Sequence, residues 1–65
     1  MLIEKEVLKL LKKALQEYIY CLERNDFDYL EFKGEIIAYI KVLNRDDLKV
    51  RYLDIIKAKE LLNNI

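Results

Sequence analysis

IEKEVLKLLKKALQEYIYCLER, residues 3–24, is the stretch that decides the fold. Within it Leu8, Leu11, Leu15, Tyr18 and Leu22 alternate three and four apart, the spacing that stacks side chains on one face of an α-helix. A second row, Ile3, Val7, Leu10, Ala14 and Cys21, lies beside the first. Two adjacent rows make an apolar face broad enough for two neighbouring helices rather than one. A helix over about 3–24 with such a face demands partners within the chain or outside it.

Downstream, Asn25-Asp26 breaks the pattern. Asn tolerates the left-handed backbone that ends helices, and Asp accepts backbone N–H bonds where the next one starts. A second helix is predicted over about 27–43. Its main row is Tyr29, Phe32, Ile36, Tyr39 and Leu43, its second row is Leu30, Ile37 and Ile40, and Val42 widens the arc. A narrow polar strip holds Asp28, Glu31, Glu35 and Lys41, with Asp28 and Glu31 near the positive end of the helix dipole and Lys41 near the negative end. This most apolar helix is expected at the centre, of the bundle or of an assembly. A second Asn–Asp break, Asn44 to Asp47, precedes a third helix predicted over about 47–62. Its row is Leu48, Tyr52, Ile55, Ile56, Ala58 and Leu62, and Asn63, Asn64 and Ile65 are expected to fray. Short connections make consecutive helices antiparallel. The reading is all-α: a small antiparallel three-helix bundle in a single domain, 1–65, completed by self-association.

Size is why a second copy is invoked. At 65 residues the chain sits where a single core rarely stabilises a fold without help. With one cysteine and no histidine, it lacks both an internal disulfide and the usual His-containing metal sites. A partner is the remaining aid. Apolar residues make up 54% and charged residues 37%, so the text is nearly pure binary patterning, as amphipathic helices are written. A bias toward Leu, Ile, Lys, Glu and Tyr follows from codons rich in A and T, as in low-GC bacteria and their phages. The formal charge is zero, whereas general nucleic-acid binders carry a basic excess. No apolar run reaches the length of a membrane span, and the mixed-charge start lacks a signal peptide's apolar core. With a free cysteine, these features point to the cytoplasm.

Catalysis is not expected. Without Ser, Thr or His, one chain cannot form a Ser-His-Asp triad or a Cys-His pair. Cys21 falls on an apolar row and reads as a small buried hydrophobe. Asp26, Asp28, Glu31 and Glu35 cluster at the start of the second helix. They read as caps and a solvated acidic face, because a hard cation needs more converging oxygens than one helix face offers. No catalytic residue, cofactor or metal ligand is assigned. Gly34, the only glycine, excludes a glycine-rich phosphate loop. It shares the polar strip with Ala38, a pairing that permits close helix approach or is simply a tolerated surface glycine.

Two kinds of surface remain. Lys5, Lys9, Lys12 and Lys13 form a stripe on the first helix that could grip phosphates or an anionic membrane surface; the zero net charge favours an ordinary solvated face. Tyr20 and Phe27 lie off the apolar rows, and Val50 and Leu53 flank that of the third helix, so these four are the candidate surface for a different protein. Residues Glu31 to Leu43 resemble short helical stretches of small phage and mobile-element proteins, a likeness over a fifth of the chain that implies no activity. The expected function is a non-catalytic protein–protein interaction or regulatory module, most simply a homodimer. Self-association is expected through Tyr29, Phe32, Ile36, Ile37, Tyr39, Ile40 and Leu43. The alternative is a nucleic-acid-binding accessory protein using the lysine stripe.

Overall fold

The computed structural model describes residues 2–45 and 54–65, with only the backbone of Leu2. It contains α1 (Leu2–Glu23), α2 (Tyr29–Leu43) and α3 (Ile55–Asn64), and no strand among the described residues. The chain is a small all-α three-helix bundle.

α1 has 22 residues, or about 33 Å at 1.5 Å per residue, close to the longest dimension of the molecule, 36 Å. Its broad face touches two neighbours, as its paired apolar rows require. α2 packs along it in the opposite sense: the Tyr18 ring meets that of Tyr29 at a centroid distance of 6.1 Å, while Leu10 and Tyr39 line one groove farther along. α3 runs in the same sense as α1, with Asp54 acting electrostatically on Tyr18 and Lys59 reaching Glu23 at 3.4 Å. That ion pair is half exposed and contributes under about 1 kcal/mol.

The expectation that α2 occupies the centre of the bundle is corrected. α1 approaches both other helices, whereas no Cα of α2 lies within 8 Å of one in α3. The reason is geometric: the longest helix, with the broadest apolar face, offers each shorter helix a separate flank. The core joins Leu11, Ala14, Leu15, Tyr18 and Ile19 of α1 to Ile36 and Ile40 of α2 and Ala58 of α3.

Both Asn breaks behave as their chemistry dictates. Asn25 has φ 55° and Asn44 φ 54°, the left-handed region that Asn tolerates best after Gly. After α1, the Asp26 N–H donates to the Cys21 carbonyl at 2.9 Å and the Asn25 N–H to that of Leu22 at 3.3 Å. After α2, the Arg45 N–H donates to the Ile40 carbonyl at 3.2 Å and the Asn44 N–H to that of Lys41 at 3.1 Å. These are two Schellman closures, which satisfy carbonyls the helices would otherwise leave open. The Asp26 carboxylate accepts the Asp28 N–H at 3.0 Å, shaping the turn so that α2 begins at Tyr29 rather than at Phe27.

The third helix differs from its predicted bounds. Asp54 is extended (φ −94°, ψ −179°), and its carboxylate accepts the Lys57 N–H at 2.8 Å. An Asp that satisfies a first-turn N–H this way starts a helix rather than continuing one. The single segment predicted over about 47–62 is therefore broken at Asp54, and its predicted start, with Leu48, Val50, Tyr52 and Leu53, lies outside the described residues. α3 then continues through Asn63 and Asn64, where fraying was expected. Its inner face is Ile55, Ala58, Leu61 and Leu62; Ile56, assigned to the apolar row, points outward.

Replacing Asn25 or Asn44 by Ala should destabilise the fold by about 1 kcal/mol each, since a Cβ without a local polar partner disfavours left-handed backbone. Gly at either position should be neutral or stabilising. Urea denaturation followed by circular dichroism checks this, and equal behaviour of Ala and Gly would show that the backbone there is not left-handed.

Candidate interaction surface

Three surface regions collect the candidate residues. The first is the open side of the α1–α2 seam. Leu8, Leu11, Leu15, Tyr18 and Leu22, the first row of α1, are buried or half-buried, but the second row is not covered along its length. Ala14 and Cys21 are buried, whereas Ile3 and Leu10 remain exposed. Facing them across the seam are Phe32 and Tyr39, half-buried, with Glu35 exposed between them. Leu10, Lys13, Ala14, Glu17, Phe32, Glu35 and Tyr39 together line a groove of roughly 270 Å³.

The second region is the corner joining α1 to α2. Leu22, Asn25, Phe27 and Tyr29 surround a hollow of roughly 350 Å³. Phe27 is 82% exposed. The third is the solvent face of α1. Lys5, Lys9, Lys12 and Lys13 are all exposed there. Farther along the same helix, the Arg24 guanidinium donates to the Tyr20 hydroxyl and lies 5.1 Å from the Tyr20 ring centroid. Tyr20, 54% exposed, is thus a surface aromatic held by a cation one helical turn away.

Of the residues predicted for self-association, Ile36 and Ile40 are buried in the chain's own core, and Tyr29, Phe32, Ile37, Tyr39 and Leu43 pack against it while keeping part of their surface. Of the predicted partner surface, Tyr20 and Phe27 are exposed; Val50 and Leu53 lie outside the described residues. Reading by apolar rows missed Leu10, Leu30, Val42 and Ile56, which the rows place inward and the structure leaves exposed. Gly34 is exposed, and a Cβ built on it meets nothing within 4 Å, so no contact among the described residues requires a glycine there.

Cys21 is a free, buried thiol. Burial pushes its pKa up first, and the carboxylates of Asp26, Asp28 and Glu17 add to this against the opposing Arg24. The group is held as a thiol, the opposite of what a nucleophilic cysteine needs. The acids at the start of α2 stay exposed, and among the described residues no group of three or more Cys, Asp or Glu converges to hold a metal ion. No helix among them is long and apolar enough to cross a membrane. Comparison with protein-family models, curated proteins and solved structures finds no match to this chain.

Tyr18 is the buried aromatic between the helices. Burial raises its phenol above the ordinary 10.0, reinforced by Tyr29 and by Asp54. Above pH 10.0 the unfolded phenol ionises while the folded one keeps its proton. Stability fully present below that pH is therefore lost as pH rises through the raised native value. Thermal midpoints measured from neutral to alkaline pH should fall less steeply for Tyr18→Phe than for the wild type, and identical slopes would contradict this.

Proposed function

We propose that this chain is a non-catalytic protein–protein interaction or regulatory module that associates with itself through apolar helix faces. The observation that carries this reading is the exposure of large apolar side chains on all three helices and the first turn. Ile3, Phe27, Leu30, Val42 and Ile56 are each more than half exposed. Scattered surface apolar residues are ordinary, but here they come from a chain with a small core and no net charge. Low net charge removes the self-repulsion that keeps proteins apart. The protonated, buried thiol of Cys21 adds support to a non-catalytic role and suits a reducing cytoplasmic setting.

One observation favours a second reading. All four lysines of the α1 stripe are solvent-exposed on the helix that forms the scaffold, so they could contact nucleic-acid phosphates at once. Such binding would weaken with salt at a log–log slope of about −3 to −4 for four phosphate contacts, and Lys9→Glu with Lys12→Glu would abolish it. Gel shifts at low salt that show no complex remove this alternative.

Light scattering on a sizing column over a concentration series tests the main reading. The expected result is a species of twice the chain mass that persists on dilution into the micromolar range. A folded species of single-chain mass at every concentration would sink the self-association reading.

A further inference from the structure

We propose that the groove between α1 and α2 docks onto the same groove of a second copy of this chain, forming a dimer with a four-helix seam about a two-fold axis parallel to the helices. This rests on the self-association reading and names the face that performs it. The groove has both apolar and charged walls. Leu10, Phe32 and Tyr39 supply apolar surface, Lys13 and Glu35 stand on its two walls, and Glu17 lines it one turn farther along α1. Val42 extends the α2 wall, seven residues after Glu35 and exposed.

Charge selects the occupant and the axis. Among the described residues, neither Lys13 nor Glu35 has an ion-pair partner within the chain. Because α1 and α2 are antiparallel, a two-fold axis along the groove lays α1 of one copy over α2 of the other at equal height. Lys13 of each copy then faces Glu35 of the other, and Leu10 faces Tyr39. Every adjacent pair among the four groove helices is antiparallel, the usual arrangement of up-down four-helix proteins. A perpendicular axis through the same height would set Lys13 against Lys13 and Glu35 against Glu35, which like-charge repulsion disfavours. A self-complementary patch of this kind is what an isologous dimer requires.

Charge exchange between chains tests the pairing directly. Lys13→Glu and Glu35→Lys alter solvent-exposed side chains, so circular dichroism should show both variants folded. Sedimentation equilibrium at low salt should then give a wild-type dimer and a dissociation constant raised about tenfold or more for each variant alone. An equimolar mixture of the two variants should associate to within about threefold of the wild type, because in the mixed dimer both cross-chain pairs again join opposite charges. Variants that dimerise like the wild type, or a mixture no tighter than its components, would overturn this interface while leaving self-association standing. A wild type that stays monomeric would overturn both.

Discussion

Leu11, Leu15 and Tyr18 lie on two turns of α1 and are almost wholly withdrawn from solvent. Neither α2 nor α3 approaches the other's backbone, so each is held chiefly by what it packs onto this row. The constraint that governs the molecule is therefore the burial of one broad helix face by two shorter helices. Hydrophobic burial here acts through a single scaffold, and substitutions along the row are felt by both neighbours. Removing a buried Leu to Ala costs about 3–5 kcal/mol in well-packed cores, a large share of what a small domain has in total.

The same constraint explains what is left open. α1 is longer than either neighbour, and α2 reaches along one flank without covering the second apolar row near Leu10 and Ile3. Nothing in local helix chemistry forbids a better seal. The turn after Glu23 is fixed by Asn25 and the Asp26 carboxylate, and this sets where α2 starts and which of its residues face inward. Ile36 and Ile40 go to the core, Phe32 and Tyr39 go to its edge, and Glu35 and Val42 face out. Apolar surface at the seam is a consequence of that register, and the self-association reading follows from the surface.

Much of this was legible in residue order, for identifiable reasons. The three-four alternation from Leu8 to Leu22 specified α1 and its two-sided burial. Asn25 and Asn44 marked both helix ends, since Asn is the residue besides Gly that most readily takes left-handed backbone. The start of α3 was obscured because Tyr52, Ile55 and Ile56 continue a plausible helical row across Asp54, and periodicity does not register a cap inside an apolar pattern. The place of α2 was misjudged because apolar content was taken as centrality, whereas length and breadth of the apolar face decided it. For the candidate surface, Tyr20 and Phe27 were visible as residues off the rows. Leu10 and Val42 were not, because a residue on an apolar row can still stand at the outer edge of a seam, exposed to solvent.

The central claim is that α1 is the scaffold on which both other helices depend. Native-state hydrogen exchange, read amide by amide, tests it most directly. The account predicts that the slowest exchange lies in α1 from Leu11 to Leu22 and reports global unfolding, with α2 and α3 opening at equal or lower free energy. Slowest exchange in α2, with α1 opening while α2 stays protected, would contradict it.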